Sequence, residues 1–373
     1  MSVLDALAPV VSDIVAPEAA RIDREGAYPA EAVAALGKAG LLGLISSPDV
    51  GGMGGGPRQA AAVVEELARH CASTAMAVTM HYCGTAVIEA HGPEDVRRAI
   101  AAGDYLTTLA FSEPGSRSMF WVPTSTATAG EGNGTVRLDA RKSWVTSAGQ
   151  ADGYVWSSRP LAVDGLSTMW LVPAGAPGLS VGPAFDGLGL RGNESRPMTA
   201  EGVTVGSDAR LGPDGGGFDV MLGTVLPWFQ VLSAACSVGL ADSATTKAAA
   251  HVGATRYEHL GQSLAENLVT RSTIARMRVK TDCASALLGD ALAALETGRE
   301  DTMLRVLEVK AAAGEAATDV TELAMRACGG AAFRKEVGVE RAFRDARAAN
   351  VMAPTTDALY DFVGRVVCGL PVF

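Results

Sequence analysis

From the N-terminus to about Asp104, apolar residues recur at helical spacing. Pro29 stands where a first helical turn begins, and Val33, Leu36, Leu41 and Leu44 follow as one stripe. The glycine-rich run 51–56 breaks the pattern, Pro57 restarts it, and Val63, Val64, Leu67 and Cys71 form the next stripe. A third helix is predicted over 74–89, followed by a turn at His91-Gly92-Pro93 and a short charged helix. Near Leu106 the periodicity changes. From there to about Leu211 the chain is rich in Thr, Val, Ser, Gly and Trp and alternates, as in Thr135-Val136-Arg137-Leu138. Glu131-Gly132-Asn133-Gly134 reads as a hairpin turn, with 154–157 and 169–172 as short strands. No long helix interrupts them, so an antiparallel β block is expected rather than a βαβ array. After Gly215-Gly216-Gly217 helical spacing returns in four or five long stretches. The expected fold class is α+β: an N-terminal helical domain over 1–107, a middle antiparallel β domain over 108–212 and a C-terminal helical bundle over 213–373.

Composition narrows the function classes. The 373 residues carry a formal net charge of −10, with 19% of side chains charged. That balance argues against sequence-independent nucleic-acid binding, which needs a basic face to displace counterions. No stretch approaches the roughly 20 apolar residues that span a bilayer, so no membrane partner is expected. The N-terminal segment lacks a basic n-region and a cleavage pattern, and a cytoplasmic location is expected. Cys71, Cys83, Cys236, Cys283, Cys328 and Cys368 lie in apolar or small-residue contexts without a C-x-x-C pair. They are expected to be reduced core residues. The histidines show no H-E-x-x-H spacing, so no metal site is expected. Nor do the glycines of 51–56 make a dinucleotide fingerprint: Pro57 takes the last position of G-x-G-x-x-G, and a helix precedes the run where a strand is needed. A connector between helices is the better reading, and a cofactor has to be sought in the β block.

Phe111-Ser112-Glu113-Pro114-Gly115-Ser116 is similar to a T-E-P-G-x-G-S loop, and Leu138-Asp139-Ala140-Arg141-Lys142-Ser143-Trp144-Val145-Thr146-Ser147-Ala148 to L-N-G-x-K-x-W-I-T-N-A. Cys328-Gly329-Gly330 and Arg344-Asp345-Ala346-Arg347 are similar to a G-G and R-D-A-K pair. Weaker matches are Pro48-Asp49-Val50-Gly51-Gly52-Met53-Gly54 to P-E-E-Y-G-G-M-G and Gly216-Gly217-Phe218 to G-x-G-F. In this order the chain resembles the acyl-CoA dehydrogenase superfamily over nearly its whole length. The resemblance implies FAD as cofactor, with Ser112 and Thr146 bonding the flavin edge, Trp144 covering the ring and Ser143 nearby. Serine in place of the family's threonine keeps the hydroxyl. It further implies cofactor contacts at Phe111, Gly329, Gly330 and Thr355. Two departures touch the FAD tether. The family's R-x-x-F-G arginine is displaced by one, to Arg256, and the glutamine before the G-G is Arg326, whose guanidinium suits phosphate.

The family's base is a glutamate in Y-E-G-T that takes the α-proton of an acyl thioester while the flavin accepts the β-hydride. Counting from Arg344, that position is Ala353. Other members place the base ten residues before a glycine matched here by Gly239, which is Phe229. A methyl and a phenyl group take no proton. His81 and Asp357 are the candidate replacements, with Asp361 weaker. Three function classes follow. The first is an FAD oxidoreductase acting on a CoA or carrier-protein thioester with non-standard chemistry. The second keeps the fold and flavin but does other chemistry, as a flavin monooxygenase or hydroxylase, a reductase or a redox-neutral enzyme. The third is a non-catalytic subunit. Self-association as a dimer of dimers, or pairing with a homologous subunit, is implied with any of them.

Overall fold

The structure is a computed structural model that describes residues 2–116 and 119–372. By packing, the chain falls into two compact units. One comprises Met1–Ala60, Met76–Asp186 and Arg191–Phe229; the other comprises Ala61–Ala75, Gly187–Leu190 and Gln230–Phe373.

The N-terminal helices follow local signals. α1 (Val3–Val10) opens with a capping box in which Ser2 and Asp5 satisfy each other's backbone N–H. It continues through a π-helical segment (Val11–Val15) into α2 (Ala16–Glu25), which stops at Gly26 with φ 62°. α3 (Ala30–Lys38) starts directly after Pro29. The glycine-rich run is a connector, entered by a single 3₁₀ turn at Pro48–Val50. A Cβ on Gly52 would stand 2.1 Å from the Ser46 carbonyl oxygen, so the close approach requires glycine there. α4 (Pro57–His70), α5 (Ala72–His91) and α6 (Glu94–Ala102) complete the helical block.

The β block holds β1 (Thr107–Ala110), β2 (Thr126–Ala129), β3 (Thr135–Val145), β4 (Gly153–Ser158), β5 (Thr168–Pro173), β6 (Leu179–Val181) and β7 (Arg196–Gly206). One sheet runs β1-β4-β5 and the other β2-β3-β7-β6. The turn at 131–134 joins β2 to β3, with Ala129 opposite Val136. One pairing departs from the antiparallel expectation: β1 and β4 are parallel, with Thr107 opposite Gly153. The chain leaves β1, builds a hairpin in the other sheet, and re-enters beside β1 in the same direction. Trp156 and Trp170 face each other across β4–β5, both fully buried. Truncating a core tryptophan to alanine typically costs about 3–5 kcal/mol.

Beyond α7 (Gly217–Val220) the long helices are α8 (Leu226–Ala254), α9 (Leu268–Thr297), α10 (Thr302–Cys328), α11 (Val339–Val351) and α12 (Thr356–Val367). A two-stranded hairpin, β8 (Arg256–Tyr257) with β9 (Gln262–Ser263), separates α8 from α9. The expectation that no stretch reaches membrane length needs correction. The continuous helical run Gly217–Ala254 is long enough and holds an 18-residue window apolar enough by composition, with a mean hydropathy of 1.5. Two-thirds of that window is buried inside the protein, as in a core helix. The cysteine expectation is corrected too. All six are free thiols, but Cys283 and Cys368 are exposed. Cys283 follows buried Thr281 by two positions on α9, which turns it to the opposite face.

Candidate functional site

The two β-block motifs meet through a buried ion pair. Glu113 and Lys142 have fully buried side chains and lie 2.6 Å apart, from Oε1 to Nζ. Lys142 points inward because it continues the buried alternation of Val136, Leu138 and Ala140 along β3. Its ammonium also donates to the carbonyl and hydroxyl oxygens of Ser157, at 2.7 and 2.9 Å, and sits 5.3 Å from the Trp156 ring. All three protons therefore have acceptors. Burial draws Lys142 down to about 8 against the pull of Glu113. The Glu113 carboxylate accepts from Lys142, from the backbone N–H and hydroxyl of Thr124, and from the backbone N–H and hydroxyl of Ser125. Burial raises its pKa, but the ammonium and the hydroxyls outweigh that and hold it below the usual carboxylate range. One residue along each motif, Ser143 N–H donates to the Ser112 carbonyl at 2.8 Å. The sequence reading quoted Glu113 and Lys142 without assigning them a role; the charged residue at an inward strand position was the available signal.

The lock sets up a bulge. Lys142 pairs with Met198 on β7, and Val145 with Arg196, so three steps on β3 face two on β7. Trp144 lies inside this bulge with φ 55°, an uncommon conformation for a bulky residue. The irregularity leaves Lys142 and Val145 buried and turns Trp144 outward, 68% exposed, edge-on to Phe185 with 6.4 Å between ring centroids. Thr146 is buried, its hydroxyl 3.2 Å from the Ser195 hydroxyl. Ser112 is half-buried, and Phe111 is buried and stacked on Phe120. An outward indole held in a strained conformation beside half-sheltered hydroxyls suits a flat ligand with a polar edge.

The base candidates fare differently. His81 is fully buried. Its Nδ1 lies 3.2 Å from Thr107 N–H, which can only donate, so Nδ1 is the acceptor and Nε2–H donates to the Leu42 carbonyl at 2.9 Å. No ring nitrogen is left for a substrate proton, and burial lowers the pKa to about 4. His81 ties α5 to β1 and to the 41–46 segment. A consequence follows for stability. The unfolded imidazole titrates near 6.5 and the folded one near 4, so this contribution is complete above pH 6.5 and is lost as pH falls toward 4. The loss amounts to about 3 kcal/mol at pH 4, at roughly 1.4 kcal/mol per pH unit. Urea midpoints of wild type and His81→Gln, measured from pH 4 to 7, should show the steeper acid slope in the wild type. Parallel slopes would refute it.

Asp357 is exposed in the first turn of α12, whose N-cap is Thr355. Asp361 pairs with Arg365 at 2.8 Å. Ala353 is half-buried in the link between α11 and α12. That link is held by a residue the sequence reading missed. Lys310, fully buried on α10, donates to the carbonyls of Ala349, Met352 and Pro354 at 3.0, 3.0 and 2.8 Å. It thus grips the carbonyls of the residues on either side of Ala353, Met352 and Pro354. Burial lowers its pKa to about 7. A lysine one helical turn after buried Val306 was the signal in the sequence. Among the proposed tether residues, Arg256 is exposed and donates to the Gly261 carbonyl of its own hairpin at 2.9 Å, and Arg326 is exposed in the last turn of α10. Gly329 and Gly330 are exposed, with nothing near the space a Cβ would fill.

Helical blocks thus precede and follow a β block that carries an outward, strained tryptophan. The chain matches the family models described as acyl-CoA dehydrogenase N-terminal, middle and C-terminal domains, over residues 2–103, 108–203 and 215–368. It is 30% identical over 351 residues to the mitochondrial short-chain specific acyl-CoA dehydrogenase of Homo sapiens, covering 91% of this chain and 83% of that protein. In fold it is similar to butyryl-CoA dehydrogenase from Megasphaera elsdenii, with TM-score 0.91, 23% identity and coverage of 98% and 97%. It is also similar to PigA in its FAD complex, with TM-score 0.89, 18% identity and coverage of 98% and 96%. The chain belongs to the acyl-CoA dehydrogenase family, and is a flavin-dependent oxidoreductase acting on acyl thioesters.

Proposed function

We propose that this chain binds FAD and acts on an acyl thioester, carried by CoA or a carrier protein, by a route that does not use the family's glutamate. The observation that carries the reading is Trp144, outward and strained in a bulge fixed by Lys142 and Glu113. An indole in that setting covers a flat ring. The hydroxyls of Ser112 and Thr146 supply donors and acceptors for a ring edge, and Arg326 and Arg256 offer guanidinium groups for phosphate oxygens. When bound, FAD would supply flavin redox chemistry beside the acyl group. The chain's own part is to hold and desolvate the thioester. The backbone N–H of Ala353 is the donor for the thioester carbonyl, and it does not depend on the side chain. Neither Ala353 nor Phe229 can take the α-proton, and His81 has no ring nitrogen to offer. That combination favours oxygen-dependent hydroxylation, reduction or a redox-neutral reaction over ordinary dehydrogenation.

Association through the C-terminal helices accompanies this reading. Leu268, Val269, Phe333 and Val367 are each more than two-thirds exposed there. A symmetric dimer, or a dimer of dimers, would cover them. Light scattering with detection at the flavin band should find about one FAD per chain in a particle of several chains. A flavin-free monomer that calorimetry also shows unable to take up FAD would refute both parts and leave the non-catalytic subunit.

A further inference from the structure

Gln230 and Ser233 lie on α8 and are 0% and 1% exposed. Among the described residues, neither the oxygen nor the nitrogen of the Gln230 carboxamide finds a hydrogen-bond partner, and neither does the Ser233 hydroxyl. The two residues are three apart on a helix, so their side chains are neighbours on one face. Phe229 adjoins Gln230 and lies one turn before Ser233, which makes 229, 230 and 233 a contiguous patch. Serines in helices ordinarily return their hydroxyl to a carbonyl one turn back, as Ser237 does to Ser233 at 3.0 Å. Ser233 does not. Burying a carboxamide and a hydroxyl with every donor and acceptor open is costly, and such groups persist where something polar meets them.

We propose that Gln230 and Ser233 form a polar subsite that hydrogen-bonds a hydroxyl group on the acyl part of the substrate. The inference rests on the thioester reading above, and on Gln230 following directly after Phe229, the second position at which the resemblance implies a base. Both side chains are neutral and each both donates and accepts, which matches a hydroxyl. A carboxylate or ammonium brought to the same place would be a buried charge facing only dipoles. A plain saturated chain would leave the carboxamide and the hydroxyl unmet. The substrate class is therefore a hydroxyacyl thioester.

The test uses the FAD-loaded protein and thioesters of pantetheine, the portion that CoA and carrier proteins share. Calorimetry compares butyryl-pantetheine with its α-, β- and γ-hydroxy analogues. At least one hydroxy analogue should bind about tenfold more tightly than butyryl, as one well-placed hydrogen bond allows. Gln230→Leu should remove that preference while leaving FAD content unchanged. Ser233→Ala, a smaller change, should reduce it in the same direction and keeps the test open if the leucine variant does not fold. In the absence of thioester, Gln230→Leu should not lower the melting temperature, because the carboxamide it removes has no partner among the described residues. Equal binding of all four probes by the wild type would overturn the subsite and leave the thioester reading intact, with Gln230 holding water alone. A lowered melting temperature with an unchanged preference would also overturn it. Binding of none of the probes by FAD-loaded protein would overturn the subsite and the thioester reading together.

Discussion

With Ala353 replaced by glutamate, the FAD-loaded protein should bleach about 10²–10⁴ times faster on anaerobic mixing with a saturated acyl thioester, the range a positioned general base contributes. The wild type has a methyl group where relatives carry the carboxylate, so it should bind such a thioester and react slowly. The variant is well placed to succeed because the link carrying Ala353 is already fixed. Lys310 holds the carbonyls of Met352 and Pro354 on either side, and Thr355 caps α12 immediately beyond. Ala353 itself is half-buried and not part of the packed core. Stopped-flow absorbance of the flavin band, wild type against variant, gives the ratio. Fast bleaching by the wild type would mean that another residue takes the proton, and Asp357 would be the first to replace. No bleaching by either protein, with flavin bound, would move the reaction to hydroxylation or a redox-neutral step.

The second large effect is on stability. Lys142→Met should destabilise the protein by about 3–5 kcal/mol, because it strands the Glu113 carboxylate in a buried site. That is a large share of the roughly 5–15 kcal/mol by which native domains exceed their unfolded states. The double variant Glu113→Gln/Lys142→Met should recover much of the loss, since two neutral groups carry no uncompensated charge. Urea unfolding of the three proteins measures the coupling, and additive losses would refute it. The pH dependence has a definite sign. Glu113 titrates below its unfolded value, so its contribution is present above about pH 4.5 and is lost as pH falls through the folded value. FAD affinity should fall with Lys142→Met as well, because the same pair holds Ser112 against Ser143 and sets the bulge at Trp144.

Much of the architecture was legible in the residues themselves. The order of helical block, β block and helical bundle follows from a change of hydrophobic period. The restart at Pro57, the turn at 131–134 and the stop of the β block before Gly217 follow from residues that restrict the backbone within a few positions. The motifs at Ser112 and Trp144 were readable in the same way, as short strings. These features are local, so neighbouring residues are enough to specify them.

What the chain alone left open depended on partners far along it. His81 stood as a candidate base until Leu42 and Thr107 occupied both its nitrogens. Glu113 and Lys142 lie 29 positions apart, and only the pairing of their segments makes them one buried unit. Lys310 reads as an ordinary helical lysine until it is found holding carbonyls around Ala353, 39 to 44 positions away. Cys283 and Cys368 looked like core residues and are exposed, because which face of a helix is covered depends on its neighbours. The sequence by itself determined the order of the elements and the chemical groups they carry. Only the tertiary structure decided which of those groups are buried, paired or available, because burial and long-range contacts set the charge state and partner of a side chain.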